Sequence, residues 1–198
     1  MRMLVAVVLA VPLLASAHDP GPAAAAGRDA WYLGFGIGTG TGSAGRPGGR
    51  ASFQDLSVDR PTNGFFNVRA GATLSERLLL GGEFSGISAV ANEAGIDSTV
   101  SVANLDVVAT FFPTGRGLAL RGGAGWSRFD RTLEGAGLDA DQRRDGANVM
   151  AGVGYAWWLG RSFNLSLNLD LFQQWYGASD AFVESSRCAV AYLGFDWY

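Results

Sequence analysis

The sequence FFNVRAGATLSERLLLGGEFSGI, residues 65–87, carries the pattern that decides the fold. On both sides of a short polar segment at residues 74–77, apolar residues recur at every second position, which is the side-chain period of a β-strand. The first face consists of Phe66, Val68, Ala70 and Ala72 before that segment and Leu78, Leu80, Gly82 and Phe84 after it. The stretch therefore predicts a β-hairpin with a tight turn.

Two charged residues in this hairpin indicate which face points inwards. Arg69 and Glu83 fall on the second face, together with small and polar residues. Counting outwards from a turn at residues 75–77 places Arg69 directly opposite Glu83, so we expect an ion pair. An arginine facing lipid costs roughly 2 to 4 kcal/mol at the bilayer midplane, so in a membrane these charges must face the inside of a barrel. A soluble barrel of the lipocalin type predicts the opposite orientation and stands as the alternative.

The first thirty residues have the pattern of an export signal. Arg2 precedes the apolar run of residues 4–14, and the small residues Ala15-Ser16-Ala17 follow it. This order predicts a signal peptide over residues 1–17 that is cleaved after Ala17. We expect residues 18–29 to form a flexible leader and residues 30–198 to form one barrel domain in the outer membrane.

The composition argues against several classes of protein. Glycine accounts for 29 of 198 residues, about twice the usual share, and most of these glycines lie inside alternating segments. The formal net charge is −3 and no basic patch is present, which argues against a nucleic-acid partner. The single cysteine, Cys188, excludes an internal disulfide framework and is interpreted as a small apolar residue.

The whole chain predicts an all-β fold, an eight-stranded antiparallel up-and-down transmembrane barrel. The seven connections alternate between long and short, the arrangement of barrels with short periplasmic turns and longer extracellular loops. The long connections are predicted at residues 41–63, 88–98, 128–145 and 177–186. The strands are predicted near residues 31–40, 65–74, 78–87, 99–112, 118–127, 149–157, 163–171 and 189–197.

Polar side chains on the inward phase of these strands are predicted to fill the lumen. Asp106 and Arg121 form a second candidate ion pair, with a structural role like that of Arg69 and Glu83, since eight strands enclose little more than their own side chains. Glycines at alternate positions of the first strand are expected to leave room for larger side chains. The other predicted lumen residues are Asn104, Asn148, Asn164, Asn168, Asp170 and Asp196.

Aromatic residues collect near both ends of the predicted strands, as in the two interfacial girdles of membrane barrels. The main girdle candidates are Trp31, Phe111, Trp126, Trp157, Trp175, Trp197 and Tyr198. The same girdles are predicted to include the neighbouring aromatic residues Phe65, Phe66, Tyr32, Phe112, Trp158 and Tyr176.

Four segments resemble the small outer-membrane barrels of Gram-negative bacteria, the OmpA, OmpX and OmpW type. They are AWYLGFGIGTG (30–40), FNVRAGATLSERLLLGGEFSG (66–86), NVMAGVGYAWWLGRSFNLSLNLDLF (148–172) and AVAYLGFDWY (189–198). The resemblance implies an integral protein of the cell envelope, with outer-membrane lipid and lipopolysaccharide around it. It also implies that a terminal aromatic, here Tyr198, is the signal for the barrel-assembly machinery, although Asp196 and Gly194 depart from the apolar positions such proteins prefer.

The sequence offers little for catalysis or metal binding. Barrel enzymes of this membrane use a catalytic histidine, whereas the single histidine, His18, lies outside the predicted barrel. Asp139, Asp141 and Asp145 lack the glycine and terminal glutamate of a calcium loop. We therefore predict no catalytic residue, no cofactor and no metal.

The leading hypothesis is a non-enzymatic, monomeric membrane anchor whose surface loops, chiefly residues 41–63 and 128–145, contact the envelope or an external ligand. The alternative is transport, either through a narrow, porin-like passive pore or by an OmpW-like route for small apolar molecules. A third hypothesis, an enzyme of unfamiliar mechanism, would depend on a lumen acid such as Asp106 or Asp170.

Overall fold

A computed structural model of the protein describes residues 31–46, 48–56, 62–93, 96–135, 138–177 and 183–198. The signal peptide and the leader predicted over residues 1–29 lie outside these ranges. The described chain forms nine β-strands: β1 (Trp31–Arg46), β2 (Gly49–Ser52), β3 (Thr62–Ser75), β4 (Leu78–Glu93), β5 (Ile96–Phe111), β6 (Gly117–Gly135), β7 (Leu138–Trp158), β8 (Phe163–Tyr176) and β9 (Ser185–Trp197). Within the described ranges, no helix is long and apolar enough to span a bilayer.

Eight of the strands close into an antiparallel barrel. From β3 to β9 each strand pairs with the next along the chain, and β1 completes the circle by pairing with β3 on one side and β9 on the other. The remaining strand, β2, folds back onto the end of β1, where Ser43 lies opposite Ser52. The predicted eight-stranded barrel is confirmed, with β2 as an addition.

The outside of the barrel is apolar and the inside carries the charges. On β5, Leu105 and Val107 are 56% and 63% exposed, whereas Asp106 between them is 3% exposed. The same alternation runs along β8, where Leu171 is exposed and Asp170 is completely buried. This arrangement is the reverse of a soluble barrel, so the lipocalin alternative is wrong.

The hairpin formed by β3 and β4 has the register counted from the sequence. Arg69 lies opposite Glu83 and Thr73 lies opposite Leu79. The turn predicted at residues 75–77 implies that Leu74 pairs with Leu78, which is wrong, because a bulge at Leu74 makes Ser75 the partner of Leu78. The bulge changes the turn without shifting the register of the wall.

The strands run well beyond the segments that the sequence pattern marked. Described residues of the predicted connection 41–63 extend β1 and form β2. Those of 88–98 lengthen β4 and β5, and those of 128–145 extend β6 and β7. Leu133 still pairs with Ala140, far along the β6–β7 hairpin. Alternation of apolar and polar residues identifies a strand only where one face meets lipid, so it fades where both faces are polar although the backbone pairing continues.

Candidate functional site

The lumen is filled at three levels, with a charged layer between two apolar layers. The charged layer contains Arg69, Glu83, Asp106, Arg121, Asp170 and Asp196, all at most 7% exposed. Among the described residues this layer holds four carboxyl groups against two guanidinium groups, so the two arginines are each surrounded by acceptors. Buried charges of this kind are tolerated only when they are paired and hydrogen-bonded.

Arg69 binds Asp196 in a bidentate ion pair. Its Nε donates to Oδ1 at 2.7 Å and its Nη2 donates to Oδ2 at 2.9 Å. The paired strands β1, β3 and β9 explain the contact, because Gly34 lies opposite Arg69 on one side and opposite Asp196 on the other. The side chains meet across a residue that has none.

Arg121 is the centre of the second group of contacts. Its Nη1 donates to Asp170 Oδ2 and to the Tyr192 hydroxyl, and its Nη2 donates to Glu83 Oε2. The Tyr192 hydroxyl donates in turn to Asp170 Oδ2 at 2.8 Å and accepts from Arg69 Nη1 at 3.3 Å. Tyr192 therefore joins both arginines into one network, and its ring centre lies 6.0 Å from one guanidinium carbon and 5.9 Å from the other.

Glycine recurs on the strand that lies between two interacting polar side chains. Because glycine has no side chain, the two polar groups can meet over it. Arg121 and Asp170 both lie opposite Gly152, just as Arg69 and Asp196 both lie opposite Gly34. A Cβ on Gly36 would meet Asn67 Oδ1 at 2.5 Å and the Tyr192 ring at 2.6 Å. The expectation that lumen glycines leave room for larger side chains is confirmed at these positions.

The predicted ion pairs have other partners than those expected. Arg69 lies opposite Glu83 but pairs with Asp196, and Glu83 accepts instead from Arg121 and, at 3.0 Å, from Asn67 Nδ2. The pairing of Asp106 with Arg121 is also wrong, because Arg121 lies opposite Thr110. Asp106 lies beside Glu83 and forms no ion pair with any described residue. The partners are instead two strands away in the wall, at sequence separations of 49 and 127 residues.

The predicted lumen amides lie inside but belong to different layers. Asn148 Nδ2 donates to Asn104 Oδ1 at 3.0 Å on the long-loop side of the network. Asn168 Nδ2 donates to Ser166 at 2.8 Å, and Asn164 Nδ2 donates to the Tyr198 hydroxyl at 3.2 Å on the short-turn side. Tyr192 is a lumen residue that was not predicted, although its position four residues before Asp196 gives it the same inward phase.

An aromatic layer closes the lumen at the short-turn end. The rings of Tyr32 and Tyr198 lie 6.1 Å apart, and those of Trp158 and Tyr198 lie 5.2 Å apart. Phe112 is buried with them. Between this layer and the arginines a cavity of only about 30 Å³ remains, which is room for about one water molecule.

A second apolar layer closes the long-loop end. The segment after β2 turns into the barrel mouth, where Phe53 is 1% exposed and Leu56 is 4% exposed. The Phe53 amide donates to the Gly42 carbonyl at 2.8 Å, and Arg131 Nη2 donates to the Leu56 carbonyl at 3.1 Å. The other members of this layer include Phe65, Ile87, Val100, Val102, Phe129, Met150, Phe172, Tyr176, Cys188 and Val190.

The aromatic girdles are thinner than expected. Trp31, Phe111, Trp126, Trp175 and Trp197 are at least 40% exposed on the outer wall, and Trp157 is partly exposed. Tyr198 is not a girdle residue, because its ring packs against the inner layer. Tyr32, Phe65, Phe112 and Tyr176 also point inwards and are at most 5% exposed. Phase along the strand, not closeness to its end, separates the two groups.

The β6–β7 hairpin continues past the aromatic girdle with charges on its outer face. Arg128 Nε pairs with Asp145 at 2.8 Å, and Arg143 Nε pairs with Asp130 at 2.7 Å. The hydrogen bond and the charge of Asp130 raise the pKa of Arg143. In each ion pair the two residues are direct cross-strand partners in the β6–β7 hairpin. Exposed ion pairs contribute little to stability, so we assign these pairs to the register of the hairpin.

The network does not have the make-up of a metal centre. In the described ranges, no group of three or more His, Cys, Asp or Glu side chains is placed to hold a metal ion. Glu83, Asp170 and Asp196 are instead directed at guanidinium groups, and Asp170 also accepts from the Tyr192 hydroxyl. The arrangement gives both guanidinium groups acid partners inside a filled barrel.

Comparison with known proteins agrees with this geometry. Residues 4–181 match the model of the family described as outer membrane protein beta-barrel domain. No curated protein sequence matches.

Two solved structures are similar in fold. Ail, the attachment invasion locus protein of Yersinia pestis, superposes with a TM-score of 0.57 at 12% identity, covering 85% of this chain and 98% of that one. Neisserial surface protein A superposes with a TM-score of 0.54 at 15% identity, covering 84% of this chain and 96% of that one. The family match, the closed barrel and its apolar exterior lead to one conclusion: this chain belongs to the outer membrane protein beta-barrel family and is an outer-membrane protein of the Gram-negative type.

Proposed function

We propose that the protein is a non-enzymatic membrane anchor that presents its external hairpins to the envelope surface or to an outside ligand. The observation that carries the proposal is the filled lumen, with apolar layers above and below the Arg69–Arg121 network. The lumen of an eight-stranded barrel has room for little more than its own side chains. The barrel therefore serves to hold the external hairpins at the membrane surface.

The external hairpins supply the surface that such an anchor would present. The β6–β7 hairpin carries exposed charges of both signs, and the segment after β2 packs under it through the contact of Arg131 with Leu56. These elements correspond to the two regions, residues 41–63 and 128–145, proposed to meet an external ligand. Outer-membrane lipid surrounds the wall, and assembly through the terminal Tyr198 and a monomeric state are part of the proposal.

Conductance separates the anchor from the alternative of a passive pore. We expect the purified protein to give no current steps in planar bilayers under conditions in which an open porin conducts, because both lumen ends are closed by packed rings. Steps of reproducible amplitude would favour transport and contradict the anchor.

Activity assays address the enzyme hypothesis. We expect no turnover of phospholipid or lipid A by the folded barrel. Turnover that disappears in Asp106→Asn while the variant keeps its heat-modifiable migration would overturn the non-enzymatic assignment.

A further inference from the structure

The outer wall has a concavity of about 570 Å³ on strands β7, β8, β9 and β1. Its floor is a row of cross-strand neighbours in which Ala151 and Ala189 flank Leu171 and Thr41 lies next to Ala189. The next row towards the long-loop end contains Val149, Gln173, Arg187 and Ser43. The concavity is therefore apolar in its floor and has an arginine at its upper edge.

A second arginine lies next to the first. Arg50 on β2 donates from Nη2 to the Ser185 hydroxyl at 2.5 Å, and Ser185 precedes Arg187 by one outward position on β9. Partial burial, and after it the positive charge of Arg187, lower the pKa of Arg50. Two like charges held together favour an anion between them.

Both arginines are oriented by neutral groups. Arg187 Nε donates to Gln173 Oε1 at 2.5 Å, and the Gln173 amide is fixed by donating to the carbonyls of Gln174 and Ser186. Glu184, the acid beside Ser185 in the chain, pairs with Arg46 at 3.5 Å. Neither Arg50 nor Arg187 forms an ion pair with a carboxylate in the described part of the chain, so both charges are available to a ligand.

The arginines lie at the level of the lipid head groups. Trp126, Ala147, Trp175 and Ser185 are successive neighbours across the wall, so the outer tryptophans share a row with the residue that Arg50 contacts. Exposed tryptophans mark the interface between lipid and water. The apolar concavity begins just below this row, at the depth of the acyl chains.

From this placement we propose that the concavity binds a phosphorylated lipid of the outer leaflet. An acyl chain lies over Ala151, Leu171 and Ala189, and Arg50 and Arg187 hold the phosphate on the head group. Planar guanidinium forks suit phosphate oxygens, and an acyl chain on the floor would cover the exposed apolar side chain of Leu171.

The test measures binding of two lipids to the detergent-purified barrel by native mass spectrometry. The lipids are bisphosphorylated lipid A and the same lipid A after phosphatase treatment. We expect the phosphorylated form to bind at least about tenfold more tightly, as two charge-assisted contacts would give, and inorganic phosphate to leave it bound. Displacement of lipid A by inorganic phosphate at equal concentration would overturn the proposal, since the acyl chain would then contribute nothing to the affinity.

Variants locate the site. The double variant Arg50→Gln, Arg187→Gln is expected to lose the tenfold preference for phosphorylated lipid A. Ala189→Trp is expected to weaken the binding of both lipids, because the indole fills the concavity. The matched control is Arg128→Gln, because Arg128 is also an outward arginine near the girdle but is neutralised by Asp145 and stacks on Trp126 at 4.9 Å. A preference kept by the double variant, or lost equally in Arg128→Gln, would contradict the site, and heat-modifiable migration verifies that each variant is folded.

Discussion

At the scale of single residues, glycine decides which charges meet inside this barrel. Gly152 lies between Arg121 and Asp170, and Gly34 lies between Arg69 and Asp196. In each case the long arginine side chain reaches over the strand that carries the glycine and contacts an aspartate on the next strand. An added Cβ at Gly152 would collide with Asp170 Oδ1 and would lie 3.0 Å from the Leu169 carbonyl. The backbone of these strands is ordinary, so the requirement for glycine is one of space.

Replacing Gly152 with valine tests this requirement. We expect Gly152→Val to push the Asp170 carboxylate off Arg121 and to lower the free energy of unfolding by about 3 kcal/mol, the usual cost of separating a buried ion pair. Urea titration of the protein folded into phospholipid vesicles measures the change.

The control is Gly122→Val on β6, where nothing lies within 4 Å of the added Cβ. Since valine favours strands over glycine, this variant should be neutral or slightly more stable. If both valines destabilise the barrel equally, the spacing role assigned to Gly152 is wrong.

At the scale of strands, phase could be predicted from the sequence but length and partners could not. The alternation along residues 65–87 gave the correct faces and the register of Arg69 against Glu83, because both depend only on counting from a local turn. The partner of Arg69 is on β9, and no local turn fixes the register in which the first strand pairs with the last. The ends of β6 and β7 escaped prediction because beyond Phe129 most residues on both faces of the hairpin are polar or charged.

Shortening the β6–β7 hairpin tests whether its outer part is separate from the barrel. We expect replacement of residues 131–142 by Asn-Gly to leave the barrel folded and to lower the free energy of unfolding by less than about 1 kcal/mol, because none of the replaced side chains that the structure describes is buried. The design keeps Asp130 opposite Arg143 next to the new turn, and it removes the Arg131 contact with Leu56. Heat-modifiable migration and urea titration measure the outcome, and a chain that no longer folds would make the hairpin part of the folding unit.

At the scale of the whole molecule, the filled lumen and the apolar wall depend on each other. Arg69, Arg121 and their acids are acceptable inside because the aromatic layers at Tyr32 and Phe129 keep the network enclosed, where hydrogen bonds to charge are strong. The wall can then expose large apolar residues all round, which only lipid accommodates. The same reasoning predicts how deep each wall position lies.

Val107 should lie near the bilayer midplane, because on β5 it falls between the two aromatic girdles. Phe111 belongs to the girdle at the short-turn end, and Leu105 is the cross-strand neighbour of Trp126 in the girdle at the long-loop end. Val107 is 63% exposed, so an arginine there has no lumen to enter. We expect Val107→Arg to lower the free energy of unfolding, measured in vesicles, by about 2 to 4 kcal/mol, and Leu74→Arg, at a similarly exposed position beside the short turn, by less than about 1 kcal/mol. Equal losses at the two positions would mean that lipid does not surround the wall in the way its exposed side chains require.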